Sequence, residues 1–140
     1  MARLGIDQYY IQMTLLAAKR AGCPKRNVGA IIVDNKHRVL SIGYNSPPRN
    51  LPTCHEVPCG GETEGGTCIS AHAEISAICA CRDIHAAHTI YISCSPCVAC
   101  TQAVMSTPIK RLVFAEFHKT WNISKTIWTG EWELIAPENN

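Results

Sequence analysis

The chain has 140 residues, a formal net charge of +2 and 46% hydrophobic residues. This length predicts one domain, residues 1–140, with a core of its own. So weak a positive charge argues against nucleic acid as a partner. No apolar run approaches the roughly 20 residues of a membrane helix and the N-terminus lacks a signal-peptide pattern, so we expect no membrane contact and a cytoplasmic location.

The first third of the sequence predicts a helix followed by a β-hairpin. Apolar residues recur at helical spacing over residues 7–21, and Gly22 and Pro24 end the pattern. Residues 28–33 are a nearly continuous apolar run, and residues 38–43 form a second run after a polar turn. Two strands this close together predict an antiparallel pair.

The remaining chain alternates helices and strands after one long irregular segment. Residues 44–69 are rich in proline and glycine, and a loop of this length inside a compact domain is usually functional or held in place. Beyond it, the patterns predict helices at 72–81, 97–105 and 122–129, and strands at 89–93, 109–115 and 132–135. The order of elements predicts a three-layer α/β/α sandwich around a central five-stranded mixed sheet.

A histidine and two cysteines stand at metal-ligand spacing near predicted helix starts. Glu74 follows His72 by two residues, and Pro96 precedes Cys97 and Cys100. A zinc ion with three protein ligands keeps a fourth position for water, which distinguishes a catalytic site from a structural one. This order of residues is the signature of zinc nucleobase deaminases. We therefore predict a catalytic zinc on the histidine and two cysteines, with Glu74 moving protons.

Four other cysteines suggest a second metal. An odd total of nine cysteines and no export signal favour thiolates on metal over disulfides. Cys23, Cys54, Cys59 and Cys68 would form a closed tetrahedral zinc site that orders the long loop, with His55 as a reserve ligand. Free thiols are the alternative.

From about Tyr10 to Ala115 the chain resembles the cytidine and deoxycytidylate deaminase superfamily, and within it the deoxycytidylate (dCMP) deaminases. The resemblance covers the apolar run 28–33, the run Ile-Gly-Tyr-Asn at 42–45, Pro48-Arg49, and the histidine, glutamate and cysteines already named. It implies zinc-dependent hydrolysis of dCMP to dUMP and ammonia, which would supply dUMP for thymidylate synthesis. It also implies a homo-oligomer, with a hexamer favoured.

The same resemblance implies residues that bind the substrate. Asn45 would contact the deoxyribose and phosphate region, the Ala73 amide the base carbonyl, and the Ser95 carbonyl the departing amine. His118 and Lys119 are candidates for the phosphate. The alternative for Asn45 is a turn residue, and for His118 a solvated loop residue.

Nucleotide control is a further implication of the resemblance. Such deaminases often respond to dCTP as activator and dTTP as inhibitor, with Mg²⁺ accompanying the nucleotide, through the loop after Asn45. Here Arg49 would contact phosphate, but Ser46 and Asn50 stand where glycines are usual, and glycine lets backbone approach a phosphate closely. The sequence leaves this control open.

Two other functions remain as alternatives to dCMP deamination. One is deamination of another base, such as free cytidine, deoxycytidine or an adenosine in tRNA. The other is a zinc-stabilised binding module without catalysis, in which Glu74 would be an ordinary solvated helix residue. The intact glutamate argues against the second, and the weak charge argues against tRNA.

Overall fold

The structure is a computed structural model that describes residues 2–62 and 65–138. In this part of the chain, helices and strands alternate in the predicted order. The α-helices are α1 (Ile6–Ala18), α2 (Ala73–Ala80), α3 (Val98–Met105) and α4 (Trp121–Ile127), and the strands are β1 (Gly29–Asp34), β2 (Val39–Tyr44), β3 (Ala87–Ile92), β4 (Arg111–Phe114) and β5 (Glu131–Leu134). Short 3₁₀ turns lie at Gly60–Glu62 and Ile84–Ala86.

The five strands form one mixed sheet in the order β2-β1-β3-β4-β5. β1 pairs antiparallel with β2 and with β3, whereas β3, β4 and β5 run parallel. The predicted hairpin and the predicted five-stranded mixed sheet are therefore confirmed. The parallel half requires crossover connections, which α3 and α4 provide.

The two faces of the sheet carry different helices. Side chains alternate along a strand, so Ile31 and Val33 of β1 point to one face and Ala30 and Ile32 to the other. The first face packs with α1, and its cluster comprises Tyr10, Ile11, Ile31, Val33, Tyr91, Val113 and Ala115. The second face packs with the other three helices, and its cluster includes Ile32, Ala77, Ile90, Val104, Leu112, Phe114 and Trp121. The three-layer α/β/α architecture is confirmed.

Element ends differ from the sequence prediction by a few residues. The first helix was expected to reach residue 21 but ends at Ala18, because the chain then tightens into i→i−3 turns at Arg20 and Ala21. The strand expected at 109–115 covers only Arg111–Phe114. In the described residues, no helix combines the length and the apolar character needed to cross a lipid bilayer.

Backbone hydrogen bonds hold the long loop in place. Ser46 and Ala71 pair at its base, with N···O distances of 3.1 and 2.8 Å. Farther along, the Cys54 amide donates to the Gly22 carbonyl at 2.9 Å. The loop therefore returns to the start of α2, so that His72 lies beside the end of β2.

Candidate active site

The predicted zinc ligands lie at the starts of two helices. His72 is the N-cap residue of α2 and Cys97 is the N-cap residue of α3, both in extended conformation. Cys100 lies within the first turn of α3. Because both helices pack on the same face of the sheet, their N-termini bring together residues that are 25 and 28 positions apart.

The three side chains have the spacing of a zinc site. Cys97 Sγ lies 3.6 Å and Cys100 Sγ 3.2 Å from His72 Nδ1, and the three ligand atoms all lie within 4.8 Å of one another. Tetrahedral zinc with bonds of about 2.0 Å to nitrogen and 2.3 Å to sulfur separates such atoms by roughly 3.6 Å. The one nitrogen and two sulfur atoms thus have the spacing of ligands to a single zinc ion.

Glu74 lies buried beside these ligands. Its side chain is in the first turn of α2 and the residue is 5% exposed. Burial raises the pKa of the Glu74 carboxyl, and hydrogen bonds from its own backbone amide and from the Cys100 thiol partly oppose this effect. The predicted alternative of a solvated glutamate is therefore wrong, because the carboxyl lies against the metal ligands rather than in water.

A cavity of about 270 Å³ opens beside the ligand cluster. This volume is close to the lower limit of about 300 Å³ for small-molecule pockets. Three of the residues predicted to act on substrate line it: Asn45, Ala73 and Glu74. The remaining lining residues are Cys23, Arg26, Val28, Cys68, Ser70, His72, Cys94 and Cys97.

Asn45 supports the cavity wall. It is buried, its Oδ1 accepts from the Val28 amide at 2.8 Å, and its Nδ2 donates to the Arg26 carbonyl at 2.7 Å. The amide group has two donor hydrogens, so one remains for a ligand. Asn45 thus orders the segment before β1, and its contact with substrate stays a prediction.

Ser95 and His118 lie next to the cavity rather than among the residues that line it. The His118 amide donates to Ser95 Oγ at 2.6 Å, and the Ser95 amide donates to the Glu116 carbonyl at 2.9 Å. Burial lowers the pKa of the His118 imidazole, and the charges of Arg26, Lys119 and His72 act in the same direction. His118 and Lys119 line a neighbouring cleft of about 390 Å³.

The four remaining loop cysteines are not assembled into a metal site. Among residues 2–62 and 65–138, His72, Cys97 and Cys100 are the one group of three or more side chains with ligand spacing. Cys23 and Cys68 line the active-site cavity, and the reserve ligand His55 has its Nε2 at 3.2 Å from the Ala21 carbonyl oxygen. The second zinc on Cys23, Cys54, Cys59 and Cys68 stays a prediction that lacks its geometry in this structure.

Of the two residues predicted to bind an effector, Arg49 lines a groove separate from the active-site cavity, and Asn50 is its neighbour in the chain. Arg49 lines a groove of about 560 Å³ between the long loop and α2. Asn50 has φ of 77°, in the left-handed region that glycine adopts freely and asparagine tolerates. Asparagine therefore retains the backbone shape that a glycine would give at this position.

Arg26 and Ser70 line the cavity, yet the sequence analysis did not select them. The one signal for Arg26 was its place, two residues before the apolar run that begins at Val28. Ser70 carried no comparable signal, because only the return of the long loop to β2 places it at the cavity.

The fold and the site together define a zinc-binding α/β/α protein with a buried acid at its metal ligands. Residues 5–116 match the family described as the cytidine and deoxycytidylate deaminase zinc-binding region. The chain belongs to this family, as the sequence resemblance predicted.

Several relatives are deoxycytidylate deaminases. The chain is 34% identical over 120 residues to the enzyme of Saccharomyces cerevisiae, a match that covers 81% of this chain and 38% of the yeast protein. It is 30% identical over 125 residues to that of Mycobacterium phage D29, covering 81% of this chain and 97% of the phage protein. The chain thus spans well under half of the yeast relative but nearly the whole phage relative.

A solved structure shares the fold. The dCMP deaminase of cyanophage S-TIM5, in complex with dCMP and dUMP, superposes with a TM-score of 0.74 at 20% identity. The match covers 96% of this chain and 100% of the cyanophage chain. The predicted cytidine-deaminase-like fold is confirmed.

Proposed function

We propose that this protein hydrolyses dCMP to dUMP and ammonia. The observation that carries the proposal is the buried Glu74 carboxyl beside three zinc ligands at the wall of a cavity of about 270 Å³. The relatives named as deoxycytidylate deaminases support dCMP as the substrate, above all the phage protein that the chain spans almost completely.

The chemistry needs an activated water and a mobile proton. His72, Cys97 and Cys100 would hold zinc, which when bound supplies a Lewis acid that makes water a nucleophile near neutral pH. Glu74 takes a proton from the attacking water and delivers it to ring N3 while the water oxygen bonds to C4. Glu74 then carries the second proton to the exocyclic amine, the C4–N bond breaks, and ammonia leaves.

Backbone and amide groups would orient the base and the sugar. Ala73 is the first residue of α2, so its amide has no acceptor within the helix, and it lines the cavity. This amide would donate to the base carbonyl, the remaining Asn45 donor would contact the sugar, and the Ser95 carbonyl would accept from the departing amine. His118, at the neighbouring cleft, would lie toward the phosphate.

Two substitutions separate metal binding from proton transfer. Glu74→Gln should keep one zinc per chain and lose activity by about 10²- to 10⁴-fold, the usual contribution of a general acid-base group. His72→Ala should lose both zinc and activity. Metal analysis and ammonia release from dCMP measure the two properties, and a Glu74→Gln variant with substantial activity would refute the assigned role.

Substrate choice tests the nucleotide assignment. Ammonia release is compared for dCMP, deoxycytidine, cytidine and dCTP at matched concentrations. We expect dCMP to be preferred. Equal rates on dCMP and deoxycytidine would contradict the assignment of a nucleotide substrate. A zinc-loaded protein that is inactive on all four compounds would favour the alternative of a binding module without catalysis.

We also propose that dCTP and dTTP, with Mg²⁺, act through the groove that Arg49 lines. The left-handed backbone of Asn50 and the size of the groove support this, because a nucleoside triphosphate needs both space and close backbone approach. Rates on dCMP should rise with dCTP and fall with dTTP, and Arg49→Gln should weaken both responses. Unchanged rates would exclude the regulation.

The family resemblance supports further parts of the proposal. The product dUMP would supply thymidylate synthesis in the cytoplasm, and the assembly would be a homo-oligomer, with a hexamer favoured. Light scattering of the purified protein measures the assembly.

Metal analysis decides whether a second zinc is bound. Two ions per chain support the site on the loop cysteines, and one ion per chain excludes it.

A further inference from the structure

A basic groove of about 490 Å³ lies at the end of the sheet opposite the active site. Strand β3 runs between the two, because it begins at the groove with Ala87 and ends just before the segment that carries Cys97. Asp34, at the other end of β1 from the active site, pairs with Ala87. The charged and imidazole side chains that line the basic groove are Asp34, Lys36, Arg38, His85, His88 and Lys110.

Three cationic side chains of the basic groove have no carboxylate in an ion pair. Lys36, Arg38 and Lys110 are exposed. The ion pairs found in residues 2–62 and 65–138 involve only Lys25 and Arg111 among the basic residues. Like charges around one concave surface repel one another, and an anion with several charges would relieve that repulsion.

The Asp34 carboxylate shapes the turn that carries two of these cations. Its Oδ1 accepts from the Lys36 amide at 2.8 Å and from the Arg38 amide at 2.9 Å. The hydrogen bond from the Arg38 amide holds the pKa of the Asp34 carboxyl below its ordinary value. The Asp34 amide also donates to the Arg38 carbonyl at 2.9 Å, and the Tyr10 hydroxyl donates to the His37 carbonyl. The backbone of Lys36 and Arg38 is therefore fixed before a ligand binds.

The facing wall of the basic groove is fixed by main-chain hydrogen bonds as well. The Lys110 amide donates to the His88 carbonyl at 2.9 Å, and the Lys110 carbonyl accepts from the Glu131 amide at 2.9 Å. His88 Nδ1 lies 2.8 Å from Thr89 Oγ1, which leaves Nε2 of the same ring for another partner. Cationic and imidazole groups from separate connections of the sheet thus converge on one groove.

The lining of the basic groove favours phosphate groups over a nucleobase. Its lining residues in the described chain include no phenylalanine, tyrosine or tryptophan, so a base would have no aromatic ring to stack on. The Arg38 guanidinium can bind two phosphate oxygens at once, and lysine binds phosphate as a point charge. The volume of about 490 Å³ exceeds that of the active-site cavity, so more than one phosphate has room.

We propose that the basic groove binds a chain of two or three phosphate groups through Lys36, Arg38 and Lys110, with His88 as a further donor. Inorganic tripolyphosphate and the triphosphate of a nucleotide both carry this chain. The site is separate from the active-site cavity and from the groove that Arg49 lines, so the inference does not depend on the proposed deamination.

Calorimetry with inorganic tripolyphosphate tests the inference on the zinc-loaded protein. At about 0.15 M salt, where attraction between distant exposed charges is largely screened, tripolyphosphate should bind at least about tenfold more tightly than orthophosphate. ATP should bind with similar affinity, because the base adds no contact. Replacing Lys36, Arg38 and Lys110 together by glutamine should weaken tripolyphosphate binding by about 10- to 100-fold, since each exposed pair contributes about 2- to 5-fold.

A matched triple variant removes the same number of charges elsewhere. Lys19, Arg20 and Arg82 are exposed and do not line the basic groove, and their replacement by glutamine should leave tripolyphosphate binding within about twofold of wild type. Equal losses in the two triple variants would show attraction by net charge alone and overturn the inference.

Two further outcomes also overturn the inference: a wild-type protein that does not bind tripolyphosphate, and one that binds ATP but not tripolyphosphate. Thermal unfolding without ligand checks that both triple variants fold. If the groove variant does not fold, the single changes Lys36→Gln and Lys110→Gln decide, each with an expected loss of about 2- to 5-fold. Single variants that bind as wild type does would contradict the site.

Discussion

Asp7 joins helix α1 to the sheet through one carboxylate. Its two oxygens accept from the guanidinium of Arg111 at 2.8 Å each, and one oxygen also accepts from the Tyr91 hydroxyl at 2.6 Å. The Arg111 guanidinium holds the pKa of the Asp7 carboxyl below its ordinary value of 3.8. This two-bond geometry is the strong form of an ion pair, and the partners are largely shielded from water.

Replacing this carboxylate should destabilise the fold in a pH-dependent way. Asp7→Asn should lower the free energy of unfolding at pH 7 by about 1.5 to 3 kcal/mol, the contribution of hydrogen bonds to a charged group. Because the pKa is depressed in the folded state, the stabilisation is present above pH 4 and is lost as the pH falls through the folded pKa. Urea unfolding at pH 7, 5 and 3.5 should therefore show a difference between the two proteins that shrinks only at the lowest pH.

Glu133→Gln is the matched control for this prediction. Glu133 also accepts from Arg111, at 2.9 Å, but its side chain is 55% exposed, so the change should cost at most about 1 kcal/mol. Equal losses in the two variants, or a difference that grows at low pH, would contradict the role assigned to Asp7.

Two glycines let helices pack directly on the sheet backbone. A Cβ at Gly43 of β2 would lie 2.5 Å from both the Ala73 carbonyl oxygen and the Ala77 amide nitrogen of α2. A Cβ at Gly29 of β1 would lie 2.1 Å from the Thr14 carbonyl oxygen of α1. The obstacles are backbone atoms, so neither helix could give way without moving as a unit.

Gly43→Ala should therefore displace the helix that starts at His72. We expect a loss of about 1 to 3 kcal/mol in unfolding free energy, the usual cost of overpacking, and reduced zinc content and deamination. Gly61→Ala is the control, because its Cβ would lie 3.6 Å from its nearest neighbour. Thermal unfolding and metal analysis measure both effects, and a Gly43→Ala protein with unchanged zinc would argue against this packing constraint.

At the scale of helices and strands, the sequence predicts the elements that have a local periodic pattern. It does not predict positions that depend on contact between elements distant in the chain. The hairpin and the helix starts at His72 and Cys97 were predictable, because side-chain alternation and the helix signals around Pro96 are local. The end of α1 was placed three residues late, since the i→i−3 turns after Ala18 leave no mark in the apolar pattern. The position of Ser70 at the cavity depends on the pairing of Ser46 with Ala71, which joins residues 25 positions apart.

In the whole molecule, the metal ligands connect two helices of the same layer. His72 is fixed by the return of the long loop and by α2 packing on β1 and β2, whereas Cys97 and Cys100 follow β3. Zinc ligands were predictable because their spacing is a chemical requirement. The absence of a four-cysteine cluster in the described residues was not predictable, because the positions of cysteines in an irregular loop do not determine the path of that loop.

Metal removal should weaken the whole fold because zinc bound by both helices favours the folded state. Metal present at about 1,000 times its dissociation constant stabilises by about 4 kcal/mol, which for a chain of this size corresponds to a fall in Tm of about 8 to 16 °C on chelation. His72→Ala, which lacks one ligand, should show almost no further fall when a chelator is added. If His72→Ala still loses stability on chelation, metal binds this variant without His72, and the loop cysteines are the candidate ligands. If the wild type shows no fall, zinc does not hold α2 and α3 together, and the ligand assignment to His72, Cys97 and Cys100 is wrong.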